Sequence, residues 1–234
     1  MTAEHAPELS ILMPAYNEQD TIVEAVERVI AAQYPVDRWE LIVVENGSTD
    51  RTRAILDGRE WPSEVKVVHV ERNRGKGHAV RLALREATGR YAAILDADLE
   101  YCPGEIGLLL QPLLDGKADA VFGTRMFQSH SAFGFWYVIG NRVINTIANI
   151  LYNAWVSDIL TCLKVLPTDT FRALDLREDG FGIETEITAR LLRRKMTIYE
   201  VPVTYRARSR EEGKKLTARD GGRVLATLVR CRIA

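Results

Sequence analysis

Short apolar runs alternate along the chain with longer stretches whose apolar residues recur at helical spacing. LSILMPA (9–15), WELIVVE (39–45), VKVVHVE (65–71), RYAAILDA (90–97) and ADAVFGT (118–124) are flanked by turn-forming or charged residues, as buried parallel strands are. Between them, residues 19–33, 50–57, 76–88 and 103–115 read as helices; Ile22, Val26, Val29 and Ile30, for example, share one face. Strand and helix in alternation predict an α/β fold, an open and mainly parallel sheet with helices on both faces. Ligands of such sheets bind beyond the carboxyl ends of the strands.

The polar clusters fall where that rule wants them. Pro14-Ala15-Tyr16-Asn17-Glu18 follows the first strand, Glu45-Asn46-Gly47-Ser48-Thr49-Asp50 the second and Asp96-Ala97-Asp98 the fourth. Taken alone, ENGSTD is a turn and helix cap, since Ser, Thr and Asp accept hydrogen bonds from free amides at helix starts. Three clusters at one edge of the sheet point instead to a site. Asp96, Asp98 and Glu100 crowd the mouth of an apolar strand, a costly place for charge unless something compensates it. A divalent cation on a diphosphate would do so, because Mg2+ or Mn2+ takes one or two carboxylates and fills its shell with phosphate and water.

Composition narrows the classes. With 234 residues, 47% of them hydrophobic, the whole chain is expected to form a single domain around a substantial core. A net charge of −1 argues against nucleic acid as a partner. Cys102, Cys162 and Cys231 have no metal-site spacing and read as reduced thiols of a cytoplasmic protein. The opening MTAEHAPELS lacks the basic and apolar regions of a signal peptide and reads as a disordered lead-in.

The order of PAYNE, VVENGSTD, NRGKGHAV, DADLE, GTR, FGIETEI and VPVTYRAR resembles that of family 2 glycosyltransferases with the GT-A fold, a Rossmann-like architecture. Over residues 9–220 the chain is most similar to the polyprenyl- or dolichyl-phosphate sugar synthase branch. The resemblance implies that Pro14, Tyr16, Glu18 and Glu45 contact the nucleoside, and that Asp96, Ala97 and Asp98 face the diphosphate. Asp96, Asp98 and Glu100 would hold the metal, with Asp98, Arg125 and Arg142 carrying the reaction. Arg208 with Lys214 or Lys215 would approach the diphosphate from a mobile loop over 206–218. One departure is Glu45-Asn46, where the family has two Asp, so recognition of base and ribose differs. RNRGKGHA (72–79) does not match the spacing of a Walker phosphate loop and reads as donor-side support, with Lys76 near a phosphate or solvated.

The acceptor follows from the groups available. A hydroxyl nucleophile needs a general base, whereas a phosphate monoester is already an anion. The resemblance places Arg125 and Arg142 at an acceptor phosphate, and Asn145 joins them from the helix over 133–156. There Asn141, Asn145, Asn149 and Asn153 make a polar stripe beneath Phe133, Phe135, Trp136, Tyr137 and Trp155, which suits a lipid-phosphate channel at a membrane surface. The alternative is a helix packed on the domain or across a homodimer. Residues 221–234 add a second apolar and basic segment, too short to span a bilayer.

The expected activity is transfer of a hexose, glucose or mannose, from a UDP- or GDP-sugar to dolichyl or undecaprenyl phosphate, with inversion, by a protein peripheral to the inner face of the membrane. Two readings compete. In one, Glu184 or Glu186 is the base for a hydroxyl acceptor; in the other, the chain is a non-enzymatic nucleotide-sugar or partner-binding module.

Overall fold

The first strand, β1 (Leu9–Ala15), is apolar and almost wholly buried. β2 (Trp39–Asn46) and β4 (Tyr91–Ile94) pair with its two edges in parallel, and β3 (Val65–Val70) pairs with β2 in the same sense. A computed structural model of the chain describes residues 7–126, 135–208 and 218–233. Its seven strands run in the order β3-β2-β1-β4-β6-β5-β7. β5 (Ala120–Thr124) and β7 (Ile198–Pro202) pair in parallel, while β6 (Lys164–Pro167) lies antiparallel between β4 and β5. The expected α/β architecture is therefore present, with one antiparallel strand that the apolar pattern does not announce.

The helices follow their predicted spans, each a few residues shorter. α1 (Ile22–Ala31) buries Ile22, Ala25, Val26 and Val29, each large side chain worth about 1.5–3 kcal/mol when removed from water. α2 (Thr52–Asp57) is held at its start by Asp50, whose Oδ1 accepts from Thr52 N at 2.9 Å. α3 (Lys76–Glu86) packs on β1 and β2, and α4 (Ile106–Leu114), entered through a 3-10 turn at Pro103–Glu105, packs on β5 and β6. The second half adds α5 (Phe135–Tyr152), α6 (Thr168–Ala173), α7 (Ile183–Arg193) and α8 (Ala218–Ile233).

α5 ends one turn before the apolar segment does. Asn153 adopts φ 48°, and Ala154 N returns to Asn149 O at 3.1 Å, a left-handed stop at which Asn is the favoured residue after Gly. Among the described residues no helix is long and apolar enough to cross a membrane.

Candidate active site

The three polar clusters do meet at the carboxyl edge of β1, β2 and β4. The loop after β2 holds the loop after β1 through short polar side chains. Ser48 Oγ accepts from Asn17 N at 3.0 Å, Thr52 Oγ1 from Glu18 N at 2.9 Å and Asp50 Oδ2 from Gln19 N at 3.1 Å. ENGSTD is thus a structural clasp as well as a rim. Gly47 is required there, because at φ 67° an added Cβ would lie 2.4 Å from the Arg72 carbonyl carbon.

Pro14 and Tyr16 are half-buried at this rim, and Ala97 is buried. Glu45, expected to contact a nucleoside, has no exposed surface: its Oε1 accepts from Ser48 N at 2.6 Å and its Oε2 faces His69 Nδ1 at 3.7 Å. In this conformation the side chain closes the turn from below and presents nothing to a ligand. Its neighbour Asn46 bonds Asn73 Oδ1 and the Gly75 carbonyl, which fixes the loop entering α3.

The carboxylates after β4 do not converge as three ligands. Asp96 Oδ2 is 2.6 Å from Lys76 Nζ. Asp98 Oδ1 accepts from Glu100 N at 3.1 Å, a turn made possible by Leu99 at φ 62°, a left-handed conformation that costs a non-glycine residue roughly 1–2 kcal/mol. Glu100 accepts from the Tyr205 hydroxyl and from Arg208 N. Among the described residues Asp96, Asp98 and Glu100 do not stand as one three-ligand group, their oxygens being taken up by Lys76, the Glu100 amide and Tyr205. What remains fits a cation that brings its own phosphate ligands, since such an ion needs only one or two carboxylates and, among the described residues, Asp98 Oδ2 has only Arg208, at 3.4 Å, as an ion-pair partner. Burial, with the negative charges of Asp96 and Glu100 beside it, pushes Asp98 up to about 7, so this position is short of positive charge even with Arg208 nearby.

Arg208 supplies part of that charge. Its guanidinium forms two bonds to Glu18, at 2.9 and 3.2 Å, and reaches Asp98 at 3.4 Å. The segment is delivered by a bridge between Tyr101 and Tyr205, whose rings lie 5.1 Å apart. Lys214 and Lys215, and most of the expected 206–218 loop, lie outside the described residues.

Lys76 lies deeper than expected. Gly75 and Gly77 are needed because Asp179 and Glu178 carbonyls pass within 2.2 Å of where their Cβ atoms would be, and His78 N donates to Asp179 O at 3.1 Å. The lysine therefore points inward to Asp96 and, at 2.5 Å, to Glu184 Oε1 on α7. Burial alone would lower it, but the charges of Asp96 and Glu184 prevail and hold it well above its ordinary value. Glu186 is spent otherwise: Oε1 receives Arg190, and Oε2 receives the backbone amides of Arg177 and Glu178 at 2.9 and 2.7 Å.

On the far side of the sheet's edge, Arg125 is bound by Asp158, Nε to Oδ2 at 2.6 Å and Nη2 to Oδ1 at 2.7 Å, with its guanidinium over the Tyr205 ring. Burial favours a protonated Asp158, but Arg125 outweighs it and lowers the carboxyl. Asp158 sits on a turn pinned from two sides. Glu200 accepts from Ser157 N at 2.9 Å, while Asn145 donates to Ser157 O at 2.6 Å and accepts from Ile159 N at 3.1 Å. Asn149 grips both polar atoms of the Val156 backbone in the same way. Two members of the Asn stripe read as a lipid-phosphate channel, Asn145 and Asn149, are thus engaged by the loop that follows the helix, each satisfying its peptide groups. Arg142 is not brought to Arg125 by any described contact and is exposed on α5. Asp158, Glu200, Tyr205 and the inward role of Lys76 were not anticipated; only Lys76, between two glycines, carried a local signal.

Residues 10–174 match the family model described as Glycosyl transferase family 2. The chain is 32% identical over 224 residues to Glycosyltransferase AglJ of Haloferax volcanii, covering 94% of this chain and 70% of AglJ. It is 30% identical over 210 residues to the low-salt glycan biosynthesis hexosyltransferase Agl6 of the same organism, covering 88% of this chain and 49% of that protein. Dodecaprenyl-phosphate galacturonate synthase of Rhizobium johnstonii is 34% identical over 132 residues, 54% of this chain and 38% of that one. The chain therefore spans about half or less of two of these relatives. Among solved structures, glucosyl-3-phosphoglycerate synthase of Mycobacterium tuberculosis in complex with phosphoglyceric acid matches with a TM-score of 0.72 at 24% identity, over 96% of this chain and 80% of that one. The same enzyme has a structure with Mn2+ and UDP. The likeness is one of fold, the GT-A arrangement.

Proposed function

This chain belongs to glycosyl transferase family 2, and from that premise we propose that it moves a hexose, glucose or mannose, from a UDP- or GDP-sugar to a polyprenyl phosphate of the dolichyl or undecaprenyl kind, with inversion. The observation that carries the choice of acceptor is the state of the two acids on α7. Glu184 is ion-paired to Lys76 and Glu186 is consumed by Arg190 and two backbone amides. Neither carboxylate is poised to take a proton from a hydroxyl, whereas a phosphate acceptor arrives already charged.

Asp98 would hold Mg2+ or Mn2+, which when bound offsets the charge of the departing diphosphate. Pro14, Tyr16 and Glu18 line the rim where the nucleoside would lie, and Arg208, beside Asp98, adds positive charge to that edge. Of the two arginines assigned to the acceptor, Arg142 is exposed and makes the first contact with the lipid phosphate; Arg125, committed to Asp158, shapes the wall of the site. α5 carries no acidic residue, and its outward Phe135, Val143 and Ile150 share a face with Arg142. α8 places exposed Arg223, Arg232, Val229 and Ile233 nearby, with Tyr152 joining the two helices through a 2.8 Å bond to Leu228 O. An apolar face ringed with arginine suits the anionic inner leaflet of a membrane.

The test is a screen of radiolabelled UDP- and GDP-hexoses with polyprenyl phosphate and MnCl2, reading label extracted into organic solvent. Metal-dependent label in the lipid is expected. Label that appears only on a water-soluble hydroxyl acceptor, or no turnover of any donor, overturns the reading.

A further inference from the structure

We infer that Lys76 is a positioning residue of the donor site: it keeps the Asp96 and Glu184 carboxylates side by side by cancelling their repulsion, and it does not itself grip the donor's phosphates. The inference rests on reading the carboxyl edge as a nucleotide-sugar site.

Three features of the structure carry it. The lysine side chain is only 12% exposed, and its ammonium is shared by carboxylates from two different elements, Asp96 after β4 and Glu184 in α7. A buried and a half-buried carboxylate held on one ammonium repel each other once it is removed, because little water reaches between them to screen them. Second, the backbone that carries Lys76 has no freedom to swing outward. Gly75 and Gly77 are pressed against the 178–179 backbone, and the His78 amide, one of the helix-start donors a phosphate would use, is taken by Asp179 O. Third, that opposing segment is itself anchored. Glu186 binds the amides of Arg177 and Glu178, and the Glu178 carboxylate accepts from Thr227 of α8 at 2.9 Å. Lys76 is thus held from behind by a rigid support and placed between Asp96 and Glu184, where its charge cancels their mutual repulsion. With Glu184 neutralised, the site also lacks the base that a hydroxyl acceptor would require, which ties this lysine to the choice of acceptor.

The test is a calorimetric titration of UDP and of GDP, each with MnCl2, into the parent and into Lys76→Met, Glu184→Gln and the double variant. Lys76→Met leaves two opposed carboxylates and is expected to weaken nucleotide binding by about tenfold or more. Glu184→Gln, which keeps Lys76 on Asp96, should stay within about threefold of the parent. The double variant, in which the charge of the pair is removed together, should return to within about threefold of the parent, the result a phosphate-gripping lysine would not give. A double variant as weak as Lys76→Met, or a Lys76→Met that binds like the parent, overturns the inference. Should Lys76→Met fail to fold, the double variant decides alone, a loss of more than about tenfold counting against the inference. A parent that binds neither nucleotide overturns the functional reading, and this inference with it; a parent that binds while the double variant stays weak overturns the inference alone.

Discussion

Arg208 Nη1 lies 2.9 Å from Glu18 Oε2, an ion pair between residues 190 positions apart that ties the last described part of the β7 connection to the loop after β1. The same guanidinium stands 3.4 Å from Asp98, so one cation serves several acids at the rim. With the arginine only 15% exposed, Arg208→Ala should destabilise the protein by about 3 kcal/mol, the usual consequence of stripping a buried carboxylate of its partner. Millimolar MnCl2 should recover part of that loss, and more in the variant than in the parent, because a divalent ion at Asp98 replaces the missing charge. Thermal unfolding with EDTA or MnCl2 reads both effects. Identical responses of the two proteins to the metal would dismiss Arg208 as the charge partner of Asp98.

Arg125 and Asp158 form the second buried pair, and its geometry predicts strong coupling. Arg125→Ala leaves an uncompensated carboxylate and Asp158→Ala an uncompensated guanidinium, each expected to cost about 3–5 kcal/mol. The double variant should cost less than the sum by about 2 kcal/mol. Urea unfolding of the four proteins closes the cycle, and strict additivity would mean that the bond contributes nothing of its own.

The difference between these two pairs marks what a sequence makes legible. The strands that end in the site are continuous apolar runs, and the acids that follow them advertise themselves by interrupting those runs. Asp158 does not: it lies in a turn whose shape depends on Glu200 from a strand 42 residues on and on Asn145 from the preceding helix. β6 is four residues, KVLP, with a lysine and a proline in it, and no local pattern tells such a piece to lie antiparallel. The Asn stripe was visible as a period of four, yet periodicity only says that one face of α5 is polar. That Asn145 and Asn149 bind the backbone of their own following loop depends on the left-handed turn at Asn153, which folds residues 154–159 back along the helix. The positive φ of Leu99, which accompanies the bond of Glu100 to Tyr205, is equally invisible in a run of acids.

Lys164 gives the fold a distinct alkaline signature. The side chain is fully buried, donating to the Ile159 and Thr161 carbonyls and lying 4.0 Å from the centre of the Phe122 ring. Burial pushes it down from 10.5 to about 8, with Glu184 and Asp158 resisting. Between those two values the unfolded chain holds a proton that the folded chain has released, so the unfolded state binds more protons and stability rises with pH. The contribution is complete above 10.5 and is lost as pH falls through 8. Relative to Lys164→Met, the parent should gain up to about 3 kcal/mol across that window. Urea unfolding at closely spaced pH values measures it, and parallel curves for the two proteins would assign the lysine an unshifted titration.

The outward faces of α5 and α8 decide between a lipid and a soluble acceptor. Phe135 is 67% exposed and Ile150 77% on α5, and Trp155 in the loop after it is 86% exposed, large apolar side chains left open on the part of the chain that carries Arg142. On the membrane reading these side chains enter the headgroup region while the arginines meet anionic lipid, so docking needs both components. Replacing Phe135, Ile150 and Trp155 with Ser should reduce binding to vesicles of phosphatidylglycerol by about tenfold or more, and glycosylation of vesicle-borne polyprenyl phosphate should fall in step. Arg142→Ala should lower the use of lipid acceptor further than it lowers vesicle binding, because it removes a phosphate contact as well as a surface charge. Nucleotide binding in the presence of MnCl2 should be unchanged in both variants, since neither touches the edge of β1, β2 and β4. A parent protein that ignores vesicles, and a serine variant that shifts from dimer to monomer in sedimentation, would show instead that this face closes against a second copy of the chain.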